Sequence, residues 1–241
     1  MMVRETLETR WFFAGRLPAM TFRSSDQKLS FDDVEAESRV DRYLRQPLTH
    51  SSSLKIRHGL LELKWRLADP ETIKRDGFVI ELTSWAKWSW PAPLDANGSS
   101  LHWWLPVEKH RKTRRWLQTE KGFQNIAQEP EPEPDETFCD VEIVEIRLFG
   151  TPYWSLCFEA SGPERRSFLI GLTDKYLKGG WDQPITAGKC QAYPAWLATQ
   201  LSICKDSGPQ YQPPQHRTGE SGRGRTGRQT HLQSVSTQKK L

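Results

Sequence analysis

The thirteen residues from Leu54 to Arg66, LKIRHGLLELKWR, constrain this chain more than any other stretch. They read as two short strands separated by a turn near Gly59. Side chains alternate faces along a strand, so Leu54 and Ile56 lie opposite Lys55 and Arg57. In the second strand Leu61, Leu63 and Trp65 lie opposite Glu62, Lys64 and Arg66. One face is apolar and the other charged, mostly cationic. Such a sheet either turns its charged face to solvent, as half-buried antiparallel strands commonly do, or curls it into a concave anion-binding surface.

Other segments repeat the pattern. Residues 6–13 read as a first strand, and Phe78 to Trp90 alternates a largely apolar set (Phe78, Ile80, Leu82, Ser84, Ala86, Trp88, Trp90) with one that includes Glu81, Thr83 and Lys87. His102–Leu117, Phe138–Phe149 and Tyr153–Ser161 are further strands, the last two joined across Gly150-Thr151-Pro152. Helices are expected over Phe31–Tyr43, opened by Asp32 and Asp33, over Pro163–Tyr176, and over Pro194–Leu201 with Pro in the first turn. Gln128 to Thr137 is an acidic Pro-Glu linker or loop between two strand-rich halves. The expected domain spans 1–204. Residues 205–241, rich in Gln, Pro, Gly, Ser and Arg, read as a disordered basic tail.

The charge belongs to that tail. The net charge is +4. From Lys205 onward seven Lys or Arg face only Asp206 and Glu220, which leaves the body at about −1. The eleven Trp argue against disorder of the whole chain. Cys139, Cys157, Cys190 and Cys204 show no CxxC or zinc spacing, and the first two read as packed thiols. The N-terminus lacks a signal-peptide core, and no run approaches the ~18 apolar residues of a membrane span. The expectation is a soluble, cytoplasmic protein with no membrane partner.

Motif order adds a resemblance over roughly residues 5–200. Thr6-Leu7-Glu8-Thr9-Arg10 occupies the place of a Glu-x-Glu-x-Lys opening strand. Lys55-Ile56-Arg57 and Glu62-Leu63-Lys64 resemble two basic strands, Lys109 and Arg111 a later cationic one, and Asp140-Val141-Glu142 an acidic one. Glu159 ends another strand, and Tyr193-Pro194-Ala195-Trp196-Leu197 resembles a closing Tyr-containing helix. In this order the chain resembles the CYTH superfamily, the triphosphate tunnel metalloenzymes. Arg10 to Phe13 and the Gly59–Arg66 core resemble cyanobacterial CYTH-like proteins in particular.

The resemblance implies an α+β fold: an antiparallel, roughly eight-stranded tunnel-like barrel with external helices. It implies that Arg10, Lys55, Arg57, Lys64, Lys87, Lys109 and Arg111 hold a phosphate-rich small-molecule or polymeric anion. Glu8 and Glu142 would be the catalytic carboxylates. Glu8, Asp140, Glu142 and Glu159 would hold Mg²⁺ or Mn²⁺ for phosphoanhydride hydrolysis, and Glu62 would keep neighbouring cations charged. Two departures matter. Thr6 stands where the first Glu is expected, and Val144 where another acidic residue would follow Glu142. Anion binding survives both, because the cations remain.

Two alternatives come from other classes: a non-catalytic phosphate-binding module, and a nucleic-acid-associated protein acting through its tail. Gly222–Gly227 matches GxGxxG by letter but has no strand before it or helix after it. Trp85, Trp88, Trp90, Trp103 and Trp104 suit a core or helix-docking role better than base stacking. His58 and His110 lack partners at catalytic spacing. Asn97-Gly98-Ser99 is a glycosylation sequon by pattern, without a secretory context. There is no P-loop, HExxH or GxSxG.

Overall fold

The first strand, β1 (Met2–Ala14), pairs antiparallel with two neighbours and so closes a cylinder. The computed structural model describes residues 2–18, 21–23, 28–45, 49–92, 103–119, 122–126, 136–178 and 188–206. Ahead of the two strands of the LKIRHGLLELKWR stretch stand β2 (Thr21–Arg23), β3 (Lys28–Ser30) and β4 (Glu37–Leu44). Those two strands are β5 (Ser52–Arg57) and β6 (Leu60–Arg66), followed by β7 (Glu71–Arg75) and β8 (Phe78–Pro91). Next come β9 (Trp104–Thr119), β10 (Gly122–Ile126), β11 (Phe138–Leu148) and β12 (Thr151–Ser161). Helix α1 (Arg165–Leu177), the two-residue β13 (Lys189–Cys190) and helix α2 (Tyr193–Asp206) complete the described chain.

Eight strands close the barrel in the order β1-β12-β11-β9-β4-β5-β6-β8 and back to β1. Residues Met2–Glu8 of β1 run along β8, and Leu7–Ala14 run along β12. β7, β10 and β13 extend the sheet outside this ring, and β2 and β3 form a separate hairpin. The expected eight-stranded antiparallel barrel is therefore the fold. Its hairpins have local causes. His58 and Gly59 both adopt positive φ (49° and 73°), as do Phe149 and Gly150 (52° and 78°). These are two-residue turns whose twist matches that of the flanking strands. The second turn falls one residue earlier than expected, and Thr151 and Pro152 already belong to β12.

The two helices cover different parts of the barrel. α1 buries Phe168, Leu169, Leu172 and Tyr176 against Trp11, Trp116, Leu156 and Phe158 on the outside of the sheet. α2 presents Tyr193, Trp196, Leu197 and Leu201, at helical spacing, to Phe12, Tyr43, Leu105, Val107, Val144, Ile146 and Leu148. The strand members of this second cluster lie on the same face as the tunnel's charged residues. α2 therefore closes one end of the interior with an apolar plug, and Trp196 stacks on Phe12 at 4.5 Å between ring centroids.

One expected element is wrong. Phe31–Tyr43 is a turn followed by β4, not a helix. Ser30 Oγ donates to Asp32 Oδ2 and accepts from the Asp32 amide in that turn. From Glu37 onward the pattern has period two, with Glu37, Arg39, Asp41 and Tyr43 on one face. The helices at 163–176 and 194–201 are present, the second reaching Asp206. The Pro-Glu stretch to residue 135, the sequon at 97–99, Trp104's neighbours at 101–102 and the tail from 207 lie outside the described residues.

Candidate functional site

The odd positions of β4, β5, β8, β9 and β12 and the even positions of β1, β6 and β11 face one another across the barrel. Their side chains line a cavity of about 480 Å³. Ten Lys and Arg line it: Arg4, Arg10, Arg39, Lys55, Arg57, Lys64, Lys87, Lys109, Arg111 and Arg115. Five carboxylates accompany them, Glu37, Glu62, Asp140, Glu142 and Glu159, with Tyr43 and Tyr193 at the plugged end. Glu8 and Asp41 lie beneath this lining, both almost fully buried. Beyond the plug the interior is thus a charged channel; the other apolar strand faces point outward, and α1 packs on those of β1, β11 and β12, while Trp65 of β6 stays half exposed. All seven cations expected to bind phosphate reach this one cavity.

The ion pairs form a connected lattice. Asp41 is contacted by Lys109 (2.8 Å), Arg39 (3.1 Å) and Lys55 (3.5 Å). Lys55 and Arg57 share the two oxygens of Glu62 at 3.0 and 2.6 Å. Arg39 and Arg111 meet on Glu37 at 2.6 and 3.3 Å. Arg111 and Arg10 then meet on Glu142 at 2.9 and 3.2 Å. On the opposite wall Lys64 donates to Glu8 at 2.6 Å, Lys87 pairs with Glu159, and Arg115 grips Asp140 through two bonds. Buried charges persist only when paired and hydrogen-bonded; each charge named in the lattice has an opposite partner, although Oε1 of Glu8 receives no protein donor.

The two walls differ in balance. Around Asp41 three cations surround one carboxylate, and Arg57 and Arg111 stand close by; this wall carries surplus positive charge. On the β1–β12–β11 wall Glu8, Asp140, Glu142 and Glu159 gather, each with its own partner. Burial works against ionisation of Asp41, but Lys109, Lys55 and Arg39 overcome it and hold the carboxyl far below its ordinary range. Burial pushes Lys109 down to about 7; Asp41 pulls it up, and the Lys55 charge pushes it down again. Lys109 also sits 4.0 Å from the Tyr193 ring centroid and 4.9 Å from that of Tyr43, in cation–π range. Burial likewise lowers Lys55 and Lys64. Burial opposes the charge on Glu142 and Glu159 too, yet Arg111 and Arg10, and Lys87 and Lys64, keep both carboxyls below their ordinary range.

The four carboxylates expected to hold a metal do not all converge. Asp140 is occupied by Arg115, and Glu142 by Arg10 and Arg111. Glu8 and Glu159 face each other across the β1–β12 ladder. With Cys157 they form a group whose ligand atoms lie within 4.8 Å of one another. Thr6 is buried on the same face of β1, and no protein group reaches its hydroxyl. Val144 belongs to the plug, where the inner face turns from charged to apolar, so a carboxylate there would lie among Leu105, Ile146 and Trp196.

Several tunnel residues were not anticipated from sequence. Glu37, Arg39 and Asp41 fell inside the supposed helix. Arg4 and Arg115 lie in segments charged on both faces; each sits over the Phe138 ring, at 4.9 and 4.5 Å. The period-two spacing of Glu37, Arg39, Asp41 and Tyr43 was the available signal. His58 contacts Glu37 at 3.2 Å and His110 contacts Ser38 at 2.8 Å, ordinary polar roles for both. Trp85 is fully buried under Lys64, 4.4 Å from its ammonium, and Trp103 is half exposed. No helix among the described residues is long and apolar enough to cross a membrane. No known family, curated protein or solved structure matches this chain.

Proposed function

We propose that the barrel binds a phosphate-rich anion: a triphosphate, a polyphosphate or an organic phosphate, as the CYTH-like motif order implies. The observation that carries this reading is the convergence of ten Lys and Arg side chains on one cavity, against five carboxylates that line it and Asp41 and Glu8 buried beneath. Such a surplus in a low-dielectric enclosure favours a multiply charged anion over water. Arg39, Arg57 and Arg111 offer forked donors, and Lys55 and Lys109 compact charges, on the wall around Asp41. Phosphate oxygens would take over donors now spent on Glu37, Glu62 and Asp41, so binding exchanges internal ion pairs for ligand pairs. In this reading Glu8, Glu142 and Glu159 hold the lysines and arginines charged. Turnover would further require a divalent ion, Mg²⁺ or Mn²⁺, to polarise a phosphoryl group.

Thermal unfolding of the full-length protein with tripolyphosphate tests binding. At a ligand concentration 100 times Kd the native state gains about 2.7 kcal/mol, a shift of several degrees. Phosphate release measured in parallel with Mg²⁺ and with Mn²⁺ separates a hydrolase from a binding module. Absence of any stabilisation by tripolyphosphate removes the phosphate reading altogether.

A further inference from the structure

Cys139 and Cys157 are both buried, but in opposite surroundings. Cys139 sits in the apolar cluster beneath α1, as expected of a packed thiol. Cys157 is absent from both apolar clusters, although its neighbours Leu156 and Phe158 belong to the first. It is on the tunnel-facing side of β12, directly across the ladder from Arg10 on one side and Glu142 on the other. Its sulfur is within 4.8 Å of a carboxylate oxygen of Glu8 and of Glu159.

A second observation is independent of that clustering. Lys64 satisfies Oε2 of Glu8, while Oε1 of the same carboxylate is buried with no protein donor reaching it. Glu8 is only 1 % exposed. A buried carboxylate oxygen without a donor is costly, and a cation beside it would remove that cost. Lys87 engages one oxygen of Glu159, so this carboxylate too has an oxygen to offer, and Glu159 borders the cavity.

We propose that Glu8, Cys157 and Glu159 form a binding site for a borderline divalent ion of the Zn²⁺ or Co²⁺ class, with Cys157 as a thiolate ligand. Mg²⁺ demands oxygen donors and sheds its waters reluctantly. A sulfur donor beside two carboxylates selects ions that accept both types. Three protein donors suit a four-coordinate ion that keeps one open position, and Glu159 places that position at the tunnel wall. On binding, the Cys157 proton leaves to solvent and a sulfur–metal bond forms; no redox change occurs. This inference does not depend on the tunnel taking phosphate.

Cobalt titration of the reduced full-length protein, without phosphate, reads the thiolate directly through sulfur-to-cobalt charge-transfer absorption in the near ultraviolet. The expected result is a band that saturates at one equivalent, is abolished by Zn²⁺ and persists in a large excess of Mg²⁺. Cys157→Ser should lose it, Cys139→Ser should keep it, and Glu8→Gln should weaken cobalt affinity by about tenfold or more. The native protein alone can overturn the proposal, whatever the variants do, by showing no band or one that Mg²⁺ removes as readily as Zn²⁺. A band unchanged in Cys157→Ser overturns it as well. None of these outcomes depends on whether tripolyphosphate binds.

Discussion

Lys109 Nζ donates to Asp41 Oδ2 at 2.8 Å at the plugged end of the tunnel, and also to the Tyr43 hydroxyl at 2.8 Å. Asp41 has no solvent exposure and Lys109 is 6 % exposed. Two strands that are neighbours in the barrel, β4 and β9, bring them together. Because Arg39 and Lys55 converge on the same carboxylate, Asp41 organises the cationic wall and keeps it from repelling itself apart.

Asp41→Asn should therefore destabilise the fold by about 3–5 kcal/mol, the usual cost of leaving buried partners uncompensated. Urea unfolding measures it. Tripolyphosphate should stabilise this variant more than it stabilises the native protein, since the ligand replaces the missing negative charge.

The pH dependence of anion binding should carry a Lys109 signature. Lys109 is charged below about 7 and loses its proton above that, so its attraction for a phosphate weakens as pH rises from 6 to 8.5. Lys109→Arg keeps the charge throughout, and the difference between the two affinity profiles isolates the lysine from the ligand's own titration. For stability the sign is the reverse. The unfolded chain holds this proton up to the ordinary value of 10.5, so the native state gains relative stability as pH climbs above 7.

Lys64 and Glu8 should couple strongly. Lys64→Met strands a buried carboxylate, with an expected loss of about 3–5 kcal/mol. The double variant Lys64→Met/Glu8→Gln should recover most of it. A double-mutant cycle from chemical denaturation checks this, and additivity of the two single changes would show that the pair does not interact.

Trp196→Ala should cost about 3–5 kcal/mol by opening a cavity beneath Phe12. Affinity for tripolyphosphate should change little, because Trp196 plugs the barrel without lining its cationic wall. Unfolding and calorimetry on the same sample separate the two effects.

Much of the barrel was legible in the sequence because β5, β6 and β8 alternate cleanly. The two-residue turn at His58-Gly59 also carries a familiar hairpin signal. β4 was not legible. Asp32 and Asp33 resemble a helix start, and Arg42 on the outer face blurs the contrast between Val40 and the inward Arg39 and Asp41. The run Lys112-Thr113-Arg114-Arg115 is charged on both faces, so only closure of the barrel decides that Arg115 points inward and Arg114 toward Asp33. Cys157 and Glu159 share a readable parity on β12, but neither gives a sign that Glu8 from another strand will join them. The strand register supplies that information.

Isothermal titration of the full-length protein with tripolyphosphate, alongside Lys55→Ala, tests the central claim most directly. The expected result is one saturable site per chain that weakens steeply with added salt and loses at least about tenfold in affinity when Lys55 is removed, as expected for a charge-assisted contact. Absence of binding, or equal binding by the native protein and Lys55→Ala, would contradict it.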